Sequence, residues 1–310
     1  MLLRDVNTWN GLDVRRPFTT GMAAEHGIAP ARLTQMCRAG LAVRLFKGVY
    51  RAADTEESLA LRVAAVKLVA PQSAVVTDLT AAWLHGADVL PPGSHQVVPS
   101  ISVFHLAGCD RMRVPYVHSG ERTLRESDLT EIDGVRATTP LRTAYDLGRL
   151  LPRGRAFAAL DALLGLDRFT RHDLLSGVER FAGQRGVVQL RALAPLADGR
   201  AESPPESILR LHWLDLSDLP RPRPQVWVED EDGHPRMRLD VGDEENRVAA
   251  EYDGEAFHGD DEREHDESRR EWLAGRGWTV EVFTKADLFG PLADPSAKLY
   301  AAYRRAGRPR

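Results

Sequence analysis

Between Pro224 and Asp253 the sequence runs through three short strand-like segments separated by turn-forming residues, and this pattern constrains the fold more than any other in the chain. Pro224–Val228 is the first segment and Asp232-Gly233 closes it; Arg236–Val241 is the second and Arg247–Tyr252 the third. Period-two alternation on the third segment puts Val248, Ala250 and Tyr252 on one face and Ala249, Glu251 and Asp253 on the other. A turn at Glu245-Asn246, in one of the registers open to it, sets Asp240 opposite Glu251, so that Asp240, Glu251 and Asp253 crowd one patch. Like charges facing each other cost a sheet roughly a few tenths of a kcal/mol. The arrangement is favourable only with a cation or a proton between the carboxylates. Hard divalent cations such as Mg²⁺ or Mn²⁺ take carboxylate oxygens and keep waters for chemistry.

The flanks complete a recognisable order. Ser203-Pro204-Pro205-Glu206 starts a helix with proline in its first turn, and a capping box alone accounts for Glu206. After Gly254 comes His258, near the start of a polar helix that holds Asp266, Arg269 and Arg270 and ends at Gly275 and Gly277. Trp278–Phe283 is a last strand, and Asp287-Leu288 opens the closing segment. This helix, three-strand meander, helix and strand, with Gln225, the Asp266-to-Arg269 spacing and Gly277-Trp278, resembles the PD-(D/E)xK nuclease superfamily over about residues 202–290. Its very-short-patch repair endonucleases are the most similar in pattern. The resemblance implies one or two divalent metals that activate a water and stabilise charge on the attacked phosphate. By position Asp240 would be the central ligand, Glu206 an outer one, and Glu251 the first acidic place of the motif. Asp253 stands where the motif has lysine, a departure that puts ordinary catalysis in question. His258 matches the histidine of the repair branch, although a helix-cap or core role explains it as well; Lys285 is a weaker candidate for a displaced amine.

At the other end, Thr19 or Thr20 caps a helix that Gly27 ends, and Pro30 opens a second helix that stops at Gly40. Leu41–Arg51 follows as two short strands turning near Lys47-Gly48. Residues 32–51 hold Arg32, Arg38, Arg44, Lys47 and Arg51 and no acid. Gly27-Ile28, Leu33 through Gly40-Leu41, and Lys47-Gly48-Val49-Tyr50-Arg51 resemble the winged helix-turn-helix of the AbiEi-type antitoxin family. In such a fold the second helix enters the major groove and the wing touches the backbone. That implies DNA contacts by Arg32, Gln35, Arg38, Arg44 and Lys47; the alternative is a three-helix dimerisation domain with solvated charges.

Residues 54–152 resemble the rest of the antitoxin family. Asp54 and Glu57 suggest a capping box before a helix over 58–69, and Asp78–His85 reads as a second helix ending at Gly86. Val97–His105 and Val114–His118 are strand-like, and Pro140 opens a helix on whose surface Arg142 and Asp146 can pair. His85 and Arg142 are better explained as structural than as active-site groups, since no nucleophile–base spacing surrounds them.

A chain of 310 residues suits two or three domains. The expected organisation is α/β multidomain: a winged helix-turn-helix over 1–53, an antitoxin-like α+β region over 54–152, a helical linker over 153–200, and a restriction-endonuclease-like αβββαβ core over 201–310. The net charge of −4 does not announce a nucleic-acid binder, yet its distribution, basic in front and acidic over 229–267, suits a DNA grip and a metal site. Two distant cysteines, Cys37 and Cys109, exclude a disulfide framework and fit a reducing cytoplasm. No apolar run reaches the length of a membrane span and the first twenty residues lack a signal pattern. Two functions follow: a DNA-binding protein with a metal-dependent endonuclease domain, or a non-catalytic antitoxin-like regulator with a degenerate nuclease domain. DNA is the expected partner of both, with a toxin protein or a second copy as further partners.

Overall fold

Thr19 lies just before the first helix because its hydroxyl, in extended backbone, accepts the Met22 N–H at 3.1 Å. Strand β1 (Phe18–Thr19) leads into helix α1 (Thr20–Glu25), Gly27 at φ +74° turns the chain, and Pro30 opens α2 (Pro30–Arg38). Strands β2 (Ala42–Phe46) and β3 (Val49–Ala52) form a hairpin that β1 joins in the order β1-β3-β2. Phe18, Ala23, Leu33, Met36 and Ala52 make a small core beneath. These elements come from a computed structural model that describes residues 9–70, 74–87, 89, 101–106, 117–118, 121–254, 260–290 and 292–307. The described chain is mixed α/β and divides into two units, Met1–Leu147 and Gly148–Arg310.

The rest of the first unit is built on α3 (Leu59–Lys67), β4 (Val75–Val76), α4 (Asp78–His85), β5 (Ile101–Leu106), β6 (Val117–His118), β7 (Glu121–Arg122), β8 (Leu129–Ile132), β9 (Val135–Thr138) and α5 (Pro140–Leu150). The capping box expected of Asp54 and Glu57 does not form. Ser58 caps α3 by accepting the Leu61 N–H, while Glu57 binds Arg62 at 2.7 Å. The β8–β9 hairpin is not among the expected strands. Asp133 and Gly134, at φ +46° and +76°, make its turn. The expected strand residues 97–100 and 114–116 lie outside the described residues. Arg142 does pair with Asp146, at 2.8 Å, but inside the unit and not on a surface: their side chains are 4% and 1% exposed. Arg142 also reaches Asp128 at 2.7 Å, and Arg122 bridges Asp146 and Asp78. Burial forces this closure, because an unpaired charge there would be costly. His85 is buried as well, its Nε2 2.7 Å from the Thr138 carbonyl, which can only accept.

In the second unit, residues 153–200 form α6 (Arg153–Leu164), α7 (Arg171–Ser176) and α8 (Val187–Leu193). Next come α9 (Pro204–Leu214), β10 (Arg223–Glu229), β11 (Pro235–Asp243), β12 (Val248–Asp253), α10 (Asp260–Gly275), β13 (Thr279–Thr284), α11 (Lys285–Phe289) and α12 (Pro295–Arg305). The sheet order is β10-β11-β12-β13, with β13 parallel to β12 and the other pairs antiparallel. Leu209 and Trp213 of α9 pack on one face of the sheet, against Val241, Val248, Ala250 and Phe283. Leu273 of α10 packs on the other, against Val226, Val228, Leu239 and Ala249. No helix among the described residues is long and apolar enough to cross a membrane.

Helix α9 is also covered on its far side by α6. Gly154 leaves room for Ile208, and Arg210 meets Asp161 at 2.8 Å with both side chains almost fully buried. Burial pushes the Asp161 carboxyl up to about 6 against the pull of Arg210 and the Asp198 N–H. Arg210→Met is therefore expected to cost about 3–5 kcal/mol, since it strands a buried carboxylate. The double variant Arg210→Met/Asp161→Leu should recover most of that loss. Urea denaturation of the two variants decides it; equal losses would place the energy elsewhere.

Candidate functional site

Three carboxylates of the second unit approach one another where strand β11 changes sides. Residues two apart on a regular strand share a face, yet Leu239 packs with Leu273 and Val241 packs with Leu209 and Trp213 across the sheet. The strand turns over between them, at Asp240. The β10–β11 register is Pro224↔Val241 and Val226↔Leu239 on either side, so Gln225 lies opposite Asp240. Gln225 has φ +55°, an uncommon conformation for a side chain-bearing residue inside a strand. The β11–β12 pairs Val241↔Ala250 and Gly242↔Ala249 stop one step short of Asp240 and Glu251. There Asp240 Oδ2 accepts the Tyr252 N–H at 2.9 Å.

Glu206 joins the group from the first turn of α9. Ser203 caps that turn by accepting the Glu206 N–H, but the Glu206 carboxylate does not close the expected capping box. Its Oε2 accepts from Gln225 Nε2 at 2.7 Å and from the Glu202 N–H at 3.1 Å, and the residue is 9% exposed. Gln225 thereby ties the helix to the turnover point of the sheet. On the opposite flank, Arg269 of α10 grips both oxygens of Glu251, at 2.5 and 2.6 Å, and donates to the Arg238 carbonyl at 3.0 Å. Sequence spacing singled out Gln225 and Arg269 without assigning either a role; their partners are far away in the chain.

Burial pushes the Asp240 carboxyl up to about 7, and repulsion from Glu206 and Glu251 adds to the rise, against the Tyr252 N–H and Arg269. The raised Asp240 carboxyl and the guanidinium on Glu251 relieve a crowding of Glu206, Asp240 and Glu251, with Glu206 in the group where the sequence pattern put Asp253. Asp253 ends β12, paired in register with Thr284. One oxygen each from Asp240, Glu251 and Asp253 do not lie within 4.8 Å of one another; among the described residues that closeness is met only by Asp230, Asp232 and His234, in the β10–β11 turn. His258 lies outside the described residues. Lys285 is exposed at the start of α11.

The first unit presents a different surface. Helix α2 buries Leu33 and Met36 and exposes Arg32, Gln35 and Arg38, one every three residues along the same side. Arg44 on β2 and Lys47 in the hairpin turn are exposed too. Arg51 is not available in this way, because its guanidinium donates to the carbonyls of Ala52, Ala53 and Thr55.

The first unit thus carries an exposed basic surface, and the second is a separate α/β unit. Residues 12–53 match the family described as "Transcriptional regulator, AbiEi antitoxin", and residues 73–196 match the AbiEi antitoxin C-terminal domain. The second match continues through α6, α7 and α8. The chain is 35% identical over 240 residues to the uncharacterized proteins MT2308 and Rv2248 of two Mycobacterium tuberculosis strains, CDC 1551 / Oshkosh and ATCC 25618 / H37Rv. The matched region covers 77% of this chain and 83% of each relative. The chain belongs to the family of these mycobacterial proteins and carries both AbiEi antitoxin regions.

The raised carboxyl of Asp240 gives a pH signature. Its value of about 7 in the fold, against 3.8 ordinarily, means that folding favours the protonated form. The resulting stability is present in full below about pH 4 and is lost as pH rises through 7. Asp240→Asn mimics the protonated form at every pH. Its melting temperature should equal or slightly differ from wild type at pH 4 and exceed it increasingly toward pH 8. Parallel curves for the two proteins would contradict the assignment; Asp161 contributes a similar decline to both and cancels in the difference.

Proposed function

We propose that the protein is a DNA-binding transcriptional regulator of antitoxin type. The observation that carries this reading is the exposed row Arg32, Gln35 and Arg38 on α2, flanked by Arg44 and Lys47 of the hairpin, within a region that matches an AbiEi transcriptional regulator. In a winged helix-turn-helix, α2 would lie in the major groove, where Gln35 and the arginines reach base edges and phosphates. The hairpin would be the wing, with Lys47 on the backbone. The antitoxin match supports a cognate toxin as a protein partner.

We read the helix, meander, helix and strand of the second unit as a non-catalytic descendant of the PD-(D/E)xK fold. Arg269 occupies both oxygens of Glu251, and Asp253 stands in the lysine place. A divalent cation at Asp240 and Glu251 would have to displace a bidentate guanidinium, so this donor set fits Mg²⁺ or Mn²⁺ poorly. The approach of Glu206, Asp240 and Glu251 favours the second reading, a metal-dependent endonuclease, in which these residues and Asp253 would hold the metal and His258 would assist.

Each lost phosphate contact lowers the salt slope of DNA binding by about one unit. Arg38→Ala/Lys47→Ala should thus bind duplex DNA more weakly, with a slope shallower by about two units in a fluorescence-anisotropy titration. Unchanged affinity and slope in the double variant would remove α2 and the hairpin from the interface.

A further inference from the structure

We propose that the second unit holds a nucleotide site distinct from both surfaces above, in which Arg168, Arg171 and Arg200 take a phosphate and Phe169 takes the base. The site is a cavity of about 630 Å³ between the segment after α6 and the segment before α9. That size falls in the range of small-ligand sites. It continues into a neighbouring cavity of about 410 Å³ through shared walls at Leu164, Arg171 and Gly199, and Arg221 lines this extension.

The floor is bare backbone. Gly165 and Gly199 cross so closely that a Cβ on Gly165 would come 2.5 Å from the Gly199 carbonyl, and one on Gly199 would come 2.6 Å from the Gly165 nitrogen. The crossing is pinned from below, where the Asp198 N–H donates to buried Asp161 at 2.8 Å. Any side chain at either glycine would push these segments apart and alter the cavity above them. Such a floor is rigid and open to close approach by a ligand.

The walls carry three arginines, Arg168, Arg171 and Arg200, and two acids, Asp167 and Asp173. Asp198 accepts from two nitrogens of Arg200, at 3.0 and 2.7 Å, and Arg171 donates to the Pro195 carbonyl, so both guanidinium groups are held in place and each offers a phosphate only its remaining N–H groups. Arg168 is exposed and makes no hydrogen bond or ion pair among the described residues. Of the two acids, Asp173 already caps α7 through the Thr170 N–H and hydroxyl, and exposed Asp167 precedes Arg168 in the chain. Planar guanidinium forks match phosphate oxygens two at a time. The apolar lining is confined to Leu164 and half-buried Phe169, too little for an apolar ligand and enough for one base to stack. A nucleoside phosphate offers both halves, either as a free nucleotide or as one unit of a single strand. A duplex does not, because its bases are already stacked.

The test titrates the full chain with inorganic phosphate, AMP, ATP and a fluorescent oligothymidylate single strand. Binding of AMP, ATP or the single strand is expected at or below about 1 mM. Arg168→Ser should weaken it by about tenfold or more, and Phe169→Leu should weaken nucleotide binding while sparing inorganic phosphate. Preference for AMP and ATP marks a free nucleotide as the source; preference for the oligonucleotide marks single-stranded nucleic acid. Arg38→Ala/Lys47→Ala should leave this binding intact, which separates it from duplex binding by the first unit. No binding of any probe at millimolar concentration overturns the proposal, as does equal binding by Arg168→Ser. If that variant melts below wild type, Arg168→Gln, which keeps much of the side-chain stem, carries the same comparison.

Discussion

Helix α9 can lie against α6 because Asp161 and Arg210 neutralise each other inside the second unit. Much of what is particular to that unit depends on this pair. Arg210 stacks over Phe157 and donates to the Leu196 carbonyl, and Asp161 accepts the Asp198 N–H. One ion pair thus connects α6, α9 and the chain that enters α9. Glu206 lies one helical turn before Arg210, so the position of the acidic group at the sheet follows from how α9 is anchored at its back. Replacing a buried pair with apolar residues of similar shape is often harmless, and removing one partner is not. The pair therefore fixes the geometry more than it adds to net stability.

The crowded carboxylates illustrate a related balance. Glu206, Asp240 and Glu251 would repel one another strongly if all were ionised in a partly buried patch. In a metal enzyme a divalent cation removes that repulsion. Here the chain supplies its own relief: a guanidinium clamped on Glu251, an amide from Gln225 on Glu206, and an Asp240 carboxyl pushed up to about 7, which holds its proton more readily than an ordinary aspartate. The left-handed Gln225 and the turnover of β11 at Asp240 bring these groups together, and Arg269 ties Glu251 to helix α10. On this account the front of the protein finds DNA, and the second unit serves as a folded binding module.

What could be read in the sequence followed from local periodicity. The three strands and the helix pair with its hairpin depend on alternation and turn residues a few positions apart. What could not be read depends on distant partners. The Arg142–Asp146 spacing is visible, but its burial comes from Asp128 and from Arg122, which also reaches Asp78. Glu206 reads as a cap until Gln225, nineteen residues on, is seen to donate to it. The crossing of Gly165 with Gly199 has no sequence signal, since each glycine alone looks like ordinary punctuation. The Asp133-Gly134 pair is the reverse case: it carries the hairpin signal, and the strands it joins are too short to stand out by alternation.

The central claim is that this chain grips DNA with its first unit and does not cut it with its second. The most direct measurement incubates the purified full chain with supercoiled plasmid, at a protein excess that saturates it, in Mg²⁺, in Mn²⁺ and in EDTA. Gel electrophoresis is run before and after protein removal. The account predicts retardation in all three conditions and, once the protein is removed, plasmid that is still fully supercoiled. Nicked or linear plasmid that appears with Mg²⁺ or Mn²⁺, is absent with EDTA and is abolished by Asp240→Asn would contradict it.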